Sequence, residues 1–167
     1  DLVLTAMDAE IVTSKRREPI GEMMKKSHCR LVEEDEIVTE IRIPASARDY
    51  RIGYDKFRVR DSHDFAVVSV ASAYKVQDGV VTDARIVLGA VAPIPLRAKE
   101  AEAYITGKAV TGELAAEAAE IALQGALPLS KNGYKVQIAR TLVRNSLLNA
   151  RTPQRSEDSG ADAQLMT

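Results

Sequence analysis

The sequence predicts an α+β protein in which antiparallel strands come first and three helices follow. Three observations carry this. Residues 37–43 alternate with a period of two, the signature of a strand. Asp78-Gly79, the strongest turn signal in the chain, lies between apolar runs at 65–76 and 80–92. Beyond Pro93-Ile94-Pro95, apolar residues recur at helical spacing as far as Ala150. Strands followed by a block of helices is the α+β order.

Taken in order, residues 2–12 are apolar, with β-branched Ile11 and Val12 at the end, and predict a strand. Residues 14–18 form a charged turn before Pro19, and 19–26 a short helix holding Met23 and Met24. Glu33, Glu34, Asp35 and Glu36 make an acidic turn. In the alternating strand, Ile37, Thr39, Ile41 and Ile43 share one face, which the pattern predicts to be buried. Val38, Glu40 and Arg42 occupy the other, so Val38 is a lone apolar residue among charges. Pro44 ends the strand. The polar stretch 45–53, with Arg48, Asp49 and Arg51, is the best domain boundary.

The second half predicts strands at 54–60, 65–76 and 80–92, giving a three-stranded antiparallel sheet. Three helices should cover it. Residues 97–108 place Ala98, Ala101 and Ile105 on one face, and 113–126 place Leu114, Ala118, Ile121, Ala122 and Gly125 inward. Ser130 or Asn132 should cap a last helix running to about Ala150, with Val136, Ala139, Val143 and Leu147 inward. The polar residues 152–167 predict a flexible tail.

Composition narrows the function. The chain has 167 residues, 46% hydrophobic and 28% charged, as globular proteins do. Its 23 Lys and Arg nearly balance 24 Asp and Glu, for a net charge of −1. That argues against a nucleic-acid binder driven by phosphate attraction and against a polybasic membrane anchor. Cys29 is the one cysteine, which excludes an internal disulfide. Only His28 and His63 could add imidazole ligands, so no His-rich metal site is available. No apolar run approaches the roughly 18 residues of a membrane span, and a cytoplasmic protein is expected. Residue 1 is Asp rather than Met.

Common catalytic signatures are missing. There is no G-x-G-x-x-G, and Gly107-Lys108 lacks the preceding glycine of a P-loop, Glu102 standing in its place. His63-Asp64 is adjacency in sequence, not a triad. His28-Cys29 offers two metal ligands or simply a loop pair. Lys56, Arg58 and Arg60 alternate, so on a strand they share a face. Such a row suits a phosphate or the electron-rich end of a flavin, and it equally describes a solvated strand face.

Several blocks together carry a family resemblance. Residues 56–60 (Lys-Phe-Arg-Val-Arg) and 63–71 (His-Asp-Phe-Ala-Val-Val-Ser-Val-Ala) resemble the flavoprotein subunit of molybdenum hydroxylases, the family of xanthine dehydrogenase and aerobic carbon monoxide dehydrogenase. The likeness continues through 83–98, resumes at 126–136 and 142–144, and includes 35–44 upstream. It spans about residues 4 to 150 in the family's order. The resemblance implies that 1–48 correspond to the end of an FAD-binding domain of two subdomains, 49–151 to the C-terminal α+β domain and 152–167 to a tail. It implies that Val38, two residues after Glu36, lies against a flavin ring. It also implies that Lys56, eight before Asp64, lies near the flavin's pyrimidine end. The family's glycine-rich phosphate motifs have no counterpart here, so the chain resembles the C-terminal half of a flavin subunit. FAD would then be shared with an N-terminal half or partner chain.

The implied function is electron transfer from iron–sulfur clusters through FAD to NAD or another acceptor. The chain would be an oxidoreductase component that is not active alone, with no residue acting on the organic substrate. Molybdenum cofactor and iron–sulfur clusters would belong to partner subunits. Two rival readings are a non-catalytic α+β assembly module of a multi-subunit complex and a lone small-molecule binder built on the basic strand.

Overall fold

The computed structural model describes residues 1–26, 32–60 and 63–151. Its central element is a hairpin of two ten-residue strands, β5 (Val68–Gln77) and β6 (Val80–Gly89). Asp78 and Gly79 turn it with φ of 51° and 78°, the two positive values that a tight hairpin turn requires. Strand β4 (Arg51–Phe57) pairs antiparallel with β5, as the sequence predicts. A fourth strand extends the predicted three: β7 (Leu96–Arg97) pairs with β6 after the Pro93–Pro95 break. Two residues are too few to leave a periodic signal.

Both faces of this sheet are covered, which explains why β5 reads as a nearly unbroken apolar run. On one face Val68, Val70, Tyr74, Ala84, Ile86 and Leu88 pack against three helices. These are α3 (Lys99–Ile105), α4 (Gly112–Ala122) and α5 (Tyr134–Asn149). Ala101, Ile105, Leu114, Ala118, Ala139, Val143 and Leu147 supply the helical side of that core. The Tyr74 hydroxyl meets Ser146 Oγ at 2.9 Å, so its one polar atom is satisfied inside the core. Burial pushes the Tyr74 pKa up.

Two helix-end expectations need correction. Gly125 does not face the core: α4 stops at Ala122, and Gly125 follows in the left-handed region (φ 85°), exposed. Glycine adopts that backbone without a Cβ clash. Neither Ser130 nor Asn132 caps α5. Gly133 occupies the cap position without a side-chain bond, and Asn132 contributes only its carbonyl, which accepts from Lys135 N–H at 3.0 Å.

The opposite face of the sheet receives the start of the chain. Residues 2–12 are not one strand. Leu2–Ala6 form a short helix, α1, capped by the Asp1 carboxylate, and only Glu10–Thr13 are extended, as β1. Burial decides the matter locally: Ala6 packs on Ala71, Ala73 and Val87, with Leu2, Val3, Tyr50 and Ile52 around them. Gly89 permits this contact, because a Cβ there would overlap Leu2 and stand 2.7 Å from Ser69 Oγ.

A second sheet follows, ordered β2-β1-β3 and antiparallel. Its other strands are β2 (Arg17–Pro19), which replaces part of the predicted charged turn, and β3 (Val38–Arg42). The predicted short helix is α2 (Ile20–Lys26). Ile11, Ile20 and Met23 form its small core. The predicted burial of one β3 face does not occur in this chain, where all five residues are exposed. A 3₁₀ turn, Ala45–Asp49, then leads into β4. His28 and Cys29, and the tail at 152–167, lie outside the described residues.

Candidate functional site

The acidic turn before β3 is anchored through one buried carboxylate. Glu36 Oε1 accepts from the Thr13 hydroxyl at 2.5 Å and from Arg16 Nε at 2.9 Å. Its Oε2 accepts the Glu33 backbone N–H at 2.9 Å. The Thr13 hydroxyl in turn accepts the Arg16 N–H at 2.9 Å. The Thr13 hydroxyl and the Glu33 amide, with Arg16 behind them, favour the ionised form over the cost of burial and lower the Glu36 pKa. Sequence reasoning used Glu36 only as a position marker. The available signal was a carboxylate that closes an acidic turn and begins a strand.

This anchor fixes Val38, which opens β3 opposite Thr13. The register slips there, since Thr13 pairs with Val38 while Val12 pairs with Glu40. Thr39 is therefore the extra residue of a β-bulge, and its hydroxyl donates to the Val12 carbonyl at 3.2 Å. The bulge changes which residues share a face. Ile41 pairs with Ile11, and Ile11 and Thr13 lie two apart on β1. Val38 and Ile41 thus project to the same side. Strict alternation had set them on opposite sides, and the inserted residue is the reason it failed. Val38 remains 42% exposed, available to something outside the described chain.

Lys56 stands near the end of β4 on the other sheet, opposite Ser69, which is itself opposite Gly89. That row places Lys56 on the sheet face that carries α1, since Leu2 lies against Gly89. Its Nζ donates to the Asp64 carbonyl at 2.6 Å. An ammonium has three N–H donors and this bond uses one. The basic row itself is interrupted. The strand ends at Phe57, so Arg58 and Arg60 belong to the following loop, where Arg60 pairs with Asp64 at 3.1 Å. Asp64 therefore organises the loop around Lys56, its carboxylate also accepting the Phe65 N–H at 2.9 Å.

Val38 and Lys56 sit on separate sheets, so their relation depends on how the sheets are joined. Asp8, just beyond α1 with φ 51°, is the joint. Its Oδ2 lies 2.6 Å from Arg85 Nε on β6 and its Oδ1 accepts from Arg97 at 2.8 Å. Arg97 also donates to Glu102 at 2.9 Å, and Glu102 accepts the Ile86 N–H at 2.8 Å. Arg85 stacks over the Tyr50 ring at 4.3 Å. Burial opposes the Arg97 charge, but Glu102 and Asp8 outweigh it and raise its pKa. Sequence reading did not single out Asp8, because its partners come from distant strands.

Among the described residues no three His, Cys, Asp or Glu side chains are grouped to hold a metal ion. No helix among them is long and apolar enough to cross a membrane. What the arrangement offers is an exposed apolar residue on an anchored strand and an ammonium with donors to spare. Those groups fit the wall and the electron-rich edge of a planar, electron-accepting ring; a backbone cradle for phosphate is not among them.

Comparison with known proteins identifies the family of the chain. The family described as the CO dehydrogenase flavoprotein C-terminal domain matches residues 53–150. The carbon monoxide dehydrogenase medium chain of Hydrogenophaga pseudoflava is 30% identical over 137 residues, covering 80% of this chain and 47% of that protein. The glyceraldehyde dehydrogenase medium chain of Sulfolobus acidocaldarius is 29% identical over 149 residues, covering 84% and 52%. Quinoline 2-oxidoreductase from Pseudomonas putida 86 superimposes with a TM-score of 0.77 at 26% identity, over 89% of this chain and 54% of that one. The chain thus spans about half the length of the relatives it matches. With more than half of its residues matched, and with the sheet, hairpin and three covering helices in place, the chain belongs to the CO dehydrogenase flavoprotein C-terminal domain family.

Proposed function

We propose that this chain is part of the flavoprotein subunit of a molybdenum-hydroxylase complex, passing electrons from iron–sulfur clusters through FAD to NAD or another acceptor. The observation that carries the reading is the family match across residues 53–150. In this reading residues 1–48 complete an FAD-binding domain and 49–151 are the C-terminal domain, the Asp8 joint holding one on the other. The FAD phosphates are held by an N-terminal half or partner chain. The molybdenum cofactor and the iron–sulfur clusters reside in partner subunits, and the complex works in the cytoplasm.

FAD supplies the redox chemistry, and the protein supplies position and electrostatics. Val38 excludes water from one ring face and sets the ring plane, held there by the Glu36 anchor. Lys56 directs N–H donors at the pyrimidine end, where negative charge develops on reduction. No residue of this chain acts on the organic substrate.

The test is the absorbance spectrum of the purified complex. Flavin bands, weakened in Lys56→Ala and less so in Val38→Ala, are the expected result. A colourless complex that assembles normally would instead identify a non-catalytic assembly module.

A further inference from the structure

A cavity of about 290 Å³ opens between the turn after β6 and the loop joining α4 to α5. Leu88, Leu123 and Val136 are among its lining, with Val91, Leu96 and Leu127 also contributing and partly open to solvent. The neighbourhood is unusually apolar for a surface. Leu127 is 91% exposed and Leu129 76%, and Tyr134 and Leu96 are also exposed. An exposed apolar cluster of this kind marks an interaction site. The turn beside it is held in a strained form. Ala90 has φ 61°, and Lys135 Nζ donates to its carbonyl at 3.1 Å.

Charge says what kind of partner fits. Residues 121–151 contain Lys131, Lys135, Arg144 and Arg151 and not one Asp or Glu, while Arg140 in the same stretch is paired with Glu120. On the other side of the cavity the lining comes from Leu88, Val91 and Leu96, again without a carboxylate. Yet the whole chain is slightly acidic, at −1. No Asp or Glu lines the cavity, whereas Lys135 does and Lys131 is exposed beside it.

We propose that this surface docks an acidic protein segment that inserts an aliphatic or aromatic side chain into the cavity. A protein fits better than a membrane, because a bilayer surface is flat and would leave the concavity unfilled. Opposite charge would steer the encounter, and the buried side chain would hold it. The proposal goes beyond the flavin reading and uses none of the residues assigned to it.

The test compares amide hydrogen exchange in the chain isolated alone with that in the assembly purified from its source. Exchange at 124–134 and 89–96 should be at least tenfold slower in the assembly. The double variant Leu127→Asp/Leu129→Asp changes only exposed side chains, so its melting temperature should hold while the assembly is lost. Lys131→Glu should weaken assembly more at low salt than at high salt. Equal exchange in the two samples or normal assembly of the double variant would overturn the proposal. So would sedimentation of the chain with phosphatidylcholine–phosphatidylserine vesicles that the double variant abolishes. Flavin absorbance of the same samples reports separately on the proposed function.

Discussion

The two sheets of this protein solve the burial problem differently. The four-stranded sheet is covered on both faces, by α3–α5 on one and α1 on the other, and Ile86, Leu88, Val143 and Leu147 are wholly buried. The three-stranded sheet rests on Ile11, Ile20 and Met23, while Val38 and Ile41 on β3 remain about half exposed. The first unit spends its apolar residues on its own stability. The second keeps several available for contact with something else, as a ligand-facing surface must. The two candidate site residues are thus divided, Val38 on the sparsely covered sheet and Lys56 at the end of a strand of the well-covered one, and the Asp8 joint connects the two sheets.

The largest expected contrast lies between core positions. Leu147→Ala should destabilise the protein by about 2–5 kcal/mol, since it removes buried methyl groups and leaves a cavity. Ile41→Ala, on the exposed strand, should change stability by less than about 0.5 kcal/mol. Chemical denaturation measures both, and similar losses would erase the distinction between the sheets.

Next comes the α1 contact. Gly89→Ala should cost about 1–3 kcal/mol, because the new methyl group meets Leu2 and Ser69. Leu2→Ala in the same chain should recover part of that loss; no recovery would mean that α1 is not what the methyl group displaces. Asp8→Asn keeps a residue that tolerates positive φ but removes the charge facing Arg85 and Arg97. Because Asp8 is partly exposed, about 1–2 kcal/mol is expected, shrinking with added salt.

The smallest effect is a pH dependence at the Glu36 anchor. Its folded pKa lies below the ordinary value of 4.5, so its stabilisation is complete above that pH. It is lost as pH falls from 4.5 through the folded value, when the carboxylate takes up a proton. Glu36→Gln should remove this acid-side contribution in a urea titration at several pH values, leaving the rest of the profile in place. A variant profile that still parallels the wild type below pH 4.5 would assign the contribution to another carboxylate.

Much of the first unit was legible because its signals are local. Asp78-Gly79 sets the hairpin, and the 3.6-residue period places Ala139, Val143 and Leu147 inward. The misreadings fall where a distant contact decides. Residues 2–6 look like a strand and become a helix because Ala71, Ala73 and Val87 offer it a surface. The alternation at 37–43 is broken by one inserted residue, Thr39, that no period reveals. At the site, Val38 and Lys56 stood out as oddities, and the family resemblance gave them roles. Glu36 and Asp8 did not stand out, since a carboxylate's importance depends on partners that only the folded chain brings to it.

The most direct test of the flavin assignment is the reduction potential of the flavin bound in the assembled complex, for the wild type and Lys56→Ala. An ammonium at the pyrimidine end stabilises the negative charge gained on reduction. Its removal should lower the potential by about 30 mV or more, equivalent to roughly 1.4 kcal/mol for a two-electron couple. Val38→Ala, which removes only apolar contact, should move it much less. A Lys56→Ala complex with unchanged potential and unchanged flavin affinity would contradict the account.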